Sequence, residues 1–503
     1  MRMHKKDTLH GSDRDFLHLL ADAAAANPFG DTYAALASKI AGCPPLAPAA
    51  ELYQRIVARL SGEVERMESA GLLDLGRHSG ADQRLLRYAI MFDVYHRFLP
   101  ELDRLIAAQS AAAERSLPVP FAGDLVGLLS RRGFAPGEAR RLFAILYQIR
   151  RAFFFIDRGL IGRSESMKRL RRHLWNNVFT HDIRMYEQQL WDRMEDFSTL
   201  LLGETGTGKG AAAAAIGRSA FIPYSEKTNT FAESFARGFI SLNLSQYPES
   251  LIESELFGHR KGAFTGAIEA HEGILARCSP YGAIFLDEIG DASVQIQIRL
   301  LRVLEERAFS PVGSHETAEF RGRIIAATNQ PLDLLRRSGR FREDFFYRLS
   351  SDVITVPPLR QRLAETPAEL DDLVSLIVHR ITGDRQGETI AAVLQSLAAS
   401  PGPGYAWPGN VRELAQAVRR ILLKGTYEGT SSPETVDLCT TLQEGIAAGT
   451  LEADALLSGY CRLLYGRLGS YEAVAHRLKL DRRTVKAHVQ KSGSGECQGD
   501  VEF

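Results

Sequence analysis

Residues suited to phosphate chemistry are gathered at two places along the chain. Gly203-Glu204-Thr205-Gly206-Thr207-Gly208-Lys209-Gly210 follows an apolar run at 199–202, and a glycine-rich turn between a strand and a helix offers phosphates a cradle of backbone N–H groups. Downstream, Ala283-Ile284-Phe285-Leu286 reads as a buried strand ending in Asp287-Glu288, carboxylates placed to hold a metal ion and polarise a water. Together they imply hydrolysis of ATP with Mg2+. In that reading Asp287 is the metal ligand and Glu288 orients the attacking water.

Other polar residues close apolar strands nearby. Residues 239–243 read as the next strand of an α/β sheet and end in Asn243; residues 322–328 read as another, running into Asn329, which is placed to read the γ-phosphate or its attacking water. Arg342 and Arg348 stand six positions apart. A guanidinium fork stays protonated and pairs with phosphoryl oxygens, although taken singly either arginine also reads as a surface ion pair. Between the two phosphate elements, Gly262-Ala263-Phe264-Thr265-Gly266-Ala267 is unlike a core segment. Glycines near both ends loosen the backbone, and Phe264 and Thr265 sit at the apex. Such a loop can move and touch a partner.

With its flanking residues from Glu255, this loop resembles the signature loop of bacterial enhancer-binding proteins, the AAA+ ATPases that activate sigma-54 RNA polymerase. The phosphate loop, Asn243, the 255–267 run, Asp287 to Asp291, Ala327-Thr328-Asn329, 341–349 and 407–414 occur in that family's order. The resemblance spans 161–422 and, weakly, the C-terminal tail. It implies ATP and Mg2+ as cofactors, sigma-54 RNA polymerase as the partner met by residues 262–267, and a homo-oligomer in which dimers assemble to a ring. It also implies that Asn243 is the switch partner of Glu288 and Asn329 a first sensor. Arg342 and Arg348 would be fingers given to the neighbouring subunit's ATP, and Arg412 a second sensor reaching back to nucleotide.

The elements that must position these residues fill a chain too long for one hydrophobic core: 503 residues, 45% of them hydrophobic, predict several domains. Residues 1–159 read as an all-α N-terminal regulatory domain, with apolar residues at three-to-four spacing and breaks at proline clusters. Its arginines, Arg131, Arg132, Arg140, Arg141, Arg150 and Arg151, read as a solvated helix face rather than an anion site. An α/β AAA+ P-loop core is expected over 160–356, a helical lid over 357–428 with Asn410 capping its later helix, a linker over 429–458, a helix-turn-helix over 459–491 and a disordered tail over 492–503. Two stretches, 181–196 and 221–236, look like insertions into the ATPase pattern and read as surface embellishments.

Lys+Arg and Asp+Glu both total 61, so global charge implies neither a nucleic-acid coat nor an acidic tail. The five cysteines are scattered without a CxxC pair, which suits a reducing compartment and argues against zinc or a disulfide framework. No apolar run is long enough for a bilayer and the first residues lack a signal-peptide core, so a cytoplasmic protein without membrane contact is expected.

The tail from 459 to 491 is locally basic. Residues 471–478 and 481–490 read as two short helices at helix-turn-helix spacing, with Ala475 small enough for their crossing. The tail resembles the Fis-type module that ends many enhancer-binding proteins. The resemblance places its second helix in the major groove of double-stranded DNA, with Arg482, Arg483, Thr484, Lys486 and His488 near phosphates or bases. A basic tail used for subunit contacts is the other reading.

One residue departs from the pattern. The general phosphate loop continues from its lysine with Ser or Thr, whose hydroxyl binds magnesium, and the resembled family usually has Glu; here Gly210 follows Lys209. Magnesium then relies on Asp287, the phosphates and water. Two other functions share part of the pattern: an AAA+ remodelling ATPase acting on another protein or on DNA, and a DNA-binding regulator with a weakened ATPase.

Overall fold

The residues read from the sequence as a phosphate site are carried by a parallel sheet. In the computed structural model, which describes residues 9, 11–44, 48–383, 387–427, 429, 442, 445–446 and 449–490, its strands are β1 (Thr199–Leu202), β2 (Phe239–Asn243), β3 (Ala283–Asp287), β4 (Arg323–Thr328) and β5 (Asp352–Thr355), in the order β2-β3-β4-β1-β5. The central strand β4 is buried along its whole length, as a parallel strand covered on both faces should be. Alternation along β3 sends Ile284 and Leu286 into one layer with Ile296, Leu300 and Val303, and Ala283 and Phe285 into the other with Ala212, Ala215 and Ile216. The register sets Asn243 beside Asp287 and Leu202 beside Thr328. All the phosphate residues therefore emerge at the carboxyl ends of the strands, where ligands of open α/β sheets bind.

The described residues before 160 form helices α1 (Gly11–Ala25), α2 (Asp31–Ala41), α3 (Ala49–Ser69), α4 (Gly80–Arg97), α5 (Leu99–Ala111), α6 (Ala122–Arg131) and α7 (Pro136–Gly159) and no strand. This part packs into one unit with the ATPase fold, since residues 1–426 cluster together. The reason lies in the two insertions. They are not surface embellishments; they are the seat on which the helical domain rests. Ile222, Phe231 and Phe235 belong to the same apolar core as Leu142, Phe143 and Leu146 of α7, and the Tyr147 and Phe231 rings stack at 4.2 Å. From the first insertion, fully buried Glu187 accepts from Arg87 at 2.6 Å and from Arg141 at 3.0 Å.

The arginines expected on a solvated face are largely structural instead. Arg132 is 2% exposed and bonded to Asp93, and Arg150 grips Asp103 through two bonds. Arg151 is fully buried, and burial pushes its pKa down to about 10. A buried guanidinium needs acceptors, and here Nη1 and Nη2 donate to the Arg218 and Ala220 carbonyls at 2.8 and 2.7 Å.

After α8 (Glu165–Phe179), α9 (Lys209–Gly217), α10 (Glu249–Phe257), α11 (Val294–Glu306) and α12 (Glu343–Leu349), the chain forms a helical lid of α13 (Leu359–Glu365), α14 (Glu369–Thr382), α15 (Gly387–Ala399) and α16 (Asn410–Lys424). Residues 427–503 make a second unit. In it α17 (Ala453–Leu468), α18 (Tyr471–Leu478) and α19 (Arg482–Gln490) share a small core of Leu464, Val474, Ala475 and Val485. Ser470 caps α18 by accepting from the Ala473 N–H, and Lys479 ends it at φ +54°. Residues 453–458, read from the sequence as linker, are the first turns of α17. Most of the rest of that linker, the 492–503 tail, Cys439 and Cys497 lie outside the described residues. Cys43, Cys278 and Cys461 are free thiols. Among the described residues no helix is long and apolar enough to cross a membrane.

Candidate nucleotide site

β1 delivers the chain into the glycine loop, and α9 begins at Lys209. Gly206 stands at φ +79°, and an added Cβ would lie 2.3 Å from the Gly409 carbonyl oxygen. Only glycine lets the lid approach this closely, and the Val411 N–H donates to the Gly206 carbonyl at 3.1 Å. Lys209 is 6% exposed and its Nζ donates to the Gly203 and Glu204 carbonyls at 2.8 and 3.2 Å. Burial lowers its pKa, an effect opposed by Glu288 and Asp287.

The two carboxylates stand at the carboxyl end of β3. Asp287 closes β3, and its Oδ1 accepts from the Glu288 N–H at 3.1 Å. Glu288 has φ +55°, a left-handed conformation costing about 1–3 kcal/mol for a residue with a Cβ; such strain persists where surrounding structure imposes it. Glu288 Oε2 accepts from the Asn329 N–H at 3.3 Å, and Asn329 Nδ2 donates to Thr205 Oγ1 at 2.7 Å. Asn329 thus touches both the Glu288 carboxylate and the glycine loop.

A cavity of about 410 Å³ joins these parts. Thr205 to Ala211, Asp287, Glu288 and Arg412 line its polar end; Leu160, Ile161, Met167, Leu373 and Leu376 line an apolar end. A site with a basic, N–H-rich half and an apolar half fits a nucleotide. For Mg2+ the fit is lean. Among the described residues no group of three or more His, Cys, Asp and Glu side chains is gathered to hold a metal, and Asp287 is the carboxylate at the strand end beside the loop.

Several expected residues are placed otherwise. Asn243 Oδ1 accepts from Ser245 N and Oγ at 2.9 and 2.7 Å, so its side chain is engaged by the local turn rather than by Glu288. Arg342 is paired with Asp344 at 2.6 Å, and Arg348 donates to the Leu304 carbonyl at 2.9 Å; neither lines the cavity of its own chain. Glu204 turns its carboxylate away from the phosphate cradle to Arg360, which holds its pKa below the usual range. Asn410 does not cap α16. It is fully buried at φ +54°, donates to Glu204 and to the Thr205 carbonyl, and accepts from the Leu359 N–H at 2.7 Å. Arg360 and Asn410 are thus lid residues that bear on the phosphate loop and that motif reading missed. An Asn just before a helix looks like an ordinary cap, and an Arg in a charged helix like solvated surface.

The 262–267 loop projects from the same fold. Ser254 Oγ meets His259 Nδ1 at 2.7 Å, and the His259–His271 bridge closes the loop base. The Gly262 N–H donates to the Ala267 carbonyl at 2.8 Å and the Ala267 N–H to the Phe264 carbonyl at 3.0 Å. Gly266 turns the tip at φ +102°. Phe264 is 40% exposed and Ile268 77% exposed, and Thr265 is exposed between them.

Residues 179–355 match the family described as the Sigma-54 interaction domain. Over that part the chain is similar to sigma-54-dependent activators. It is 36% identical over 272 residues to the regulatory protein AtoC of Escherichia coli K12, a match covering 52% of this chain and 55% of AtoC. It is 39% identical over 241 residues to the Nif-specific regulatory protein of Azotobacter vinelandii, covering 48% of this chain and 42% of that one. The transcriptional regulator NtrC of Azospirillum brasilense is 38% identical over 262 residues, covering 52% and 47%. The chain therefore spans about half the length of the curated relatives it matches. Among solved structures, NtrX from Brucella abortus in complex with ATP is 22% identical over 73% of this chain and 79% of that one, at a TM-score of 0.39, too low to bear on the arrangement of the whole.

In the second unit, Arg482, Arg483, Thr484 and Lys486 are exposed on α19, with Arg482 paired to Glu472 at 2.8 Å. His488 departs from that set. It turns toward α17, where its Nδ1 meets Ser458 Oγ at 2.9 Å.

Proposed function

We propose that this chain is a cytoplasmic transcription activator that binds upstream DNA and uses ATP hydrolysis, in a ring of copies, to remodel sigma-54 RNA polymerase. The observation that carries the reading is one fold holding both a nucleotide cavity and the exposed Phe264-Thr265 tip, inside a sigma-54 interaction domain.

In this reading the loop N–H groups and Lys209 bind the phosphates, releasing the lysine from its own loop carbonyls. When bound, Mg2+ would be held by Asp287 and would offset charge on the phosphates. Glu288 orients the attacking water while Asn329 senses the γ-phosphate and Arg412 reaches in from the lid. Arg342 and Arg348, outside their own chain's cavity, act on the ATP of a neighbouring copy, where a guanidinium offsets charge building on the transferred phosphoryl group. Reorganisation of Asn243 and Glu288 around that phosphate alters the poise of the 262–267 loop toward its partner. Such coupling requires the partner to bind one nucleotide state better than the other. Arg482, Arg483, Thr484 and Lys486 contact double-stranded DNA, and paired copies double that contact. The test is turnover by purified protein: Glu288→Gln should retain ATP binding and lose about a hundredfold or more in rate. Wild-type turnover in that variant contradicts the assignment.

A further inference from the structure

We propose that the helical domain carries a binding site for a small neutral aromatic molecule with a hydrogen-bond donor, in a cavity at its junction with the ATPase fold. The cavity measures about 360 Å³, within the range of small-molecule sites, about 300–1,000 Å³. Tyr33, Phe92, Tyr95 and Phe153 line it from the helical domain, and Trp175 and Ile183 from the ATPase side. An apolar cavity of about 150 Å³ takes benzene; this one has room for two fused rings.

Charge and hydrogen bonding narrow the class further. Two charged groups border the cavity, and each is paired with opposite charge, Glu187 through Oε1 while its Oε2 accepts no bond among the described residues. Arg150 holds Asp103 through bonds of 2.5 and 2.7 Å, and Glu187 is shared by Arg87 and Arg141. An ionic ligand would thus lose its hydration without finding an unpaired countercharge. His96, 5% exposed and lining the cavity, uses Nδ1 against the Phe92 carbonyl at 2.8 Å. That bond places the proton on Nδ1 and leaves Nε2 as an acceptor with no hydrogen-bond partner among the described residues. Burial lowers the ring's pKa to about 4, so it stays neutral near pH 7. A buried acceptor facing an apolar cavity suits a ligand O–H or N–H.

The cavity is joined to the ATP site by one helix. Leu146, Ile149, Arg150 and Phe153 of α7 line the cavity, while Gln148 and Arg151 of the same helix donate to the Arg218, Ser219 and Ala220 carbonyls. Those carbonyls directly follow α9, whose first residue is Lys209. A ligand that shifts α7 therefore bears on the phosphate-loop helix. Binding stands independently of the activation reading; the effect on ATP turnover rests on it.

The experiment is calorimetric titration of the full chain with 2-naphthol and with indole, alongside the anion 2-naphthoate, in wild type, Ala24→Phe and His96→Phe. Ala24 lines the cavity, and a phenyl ring there takes the space that a bicyclic probe needs. Saturable one-site binding of a neutral probe is expected, weakened about five- to tenfold in His96→Phe, lost in Ala24→Phe with the fold checked by circular dichroism, and weaker for 2-naphthoate. ATP turnover should change on saturation. Failure of both neutral probes to bind wild type overturns the site, as does unchanged affinity in folded Ala24→Phe. If that variant does not fold, unchanged affinity in His96→Phe overturns it. Preferential binding of 2-naphthoate overturns the neutral class. Saturated binding with unaltered turnover overturns the link through α7, whereas binding without any ATPase activity contradicts the ATPase reading alone.

Discussion

Glu204 of the phosphate loop and Arg360 of the lid are joined by two hydrogen bonds, of 2.5 and 2.7 Å. Each side chain is nearly half exposed, so water and salt screen the pair and its effect is modest. Arg360→Ala should therefore weaken ATP binding only a few-fold, and more at low ionic strength than at high. Nucleotide titrations at two salt concentrations check this. Equal affinity of wild type and variant at both would show that the lid contact does not shape the site.

Gly210 has no steric reason to be glycine. Its backbone is helical, and an added Cβ would meet only the Phe285 ring, at 3.9 Å. Gly210→Ser should stabilise α9 by about 0.5–1 kcal/mol through reduced chain entropy. It should also lower the Mg2+ concentration giving half-maximal turnover, by returning a hydroxyl to the loop. Turnover measured across Mg2+ concentrations decides this, and an unshifted midpoint contradicts it.

Arg342 lies outside its own chain's cavity, so its effect on hydrolysis should appear between copies. Arg342→Ala should bind ATP and not hydrolyse it, and Lys209→Ala should fail in binding. Mixing the two should restore part of the activity at joint interfaces. Turnover that stays at the sum of the separate variants would show that each arginine serves its own subunit.

The sheet and the nucleotide site were legible in the sequence because their residues obey local rules. An apolar strand running into Gly203 or into Asp287 admits few other structures, and strand register then brings Asn329 and Glu288 together. What could not be read depends on partners distant in sequence. Glu187 looks like an exposed charge until Arg87 is placed beside it, and Phe231 looks like loop until it stacks on Tyr147. Asn410 carries the signature of a cap, yet burial against the phosphate loop gives it another set of bonds. The arginines of α6 and α7 have the spacing of a solvated face. Arg132 and Arg150 are instead answered by Asp93 and Asp103 of neighbouring helices, and Arg141 by Glu187 of the first insertion, pairings that no periodicity encodes.

In the function proposed above, residues 262–267 transmit ATP turnover to sigma-54 RNA polymerase without taking part in phosphate chemistry. Thr265 is exposed at the loop tip, and no residue from 262 to 267 lines the nucleotide cavity. The most direct measurement compares ATP hydrolysis, assembly and transcription from a sigma-54 promoter in one Thr265→Ala preparation. Hydrolysis and assembly should be largely kept while activation and sigma-54 capture are lost. Activation at the wild-type level by that protein would contradict that function.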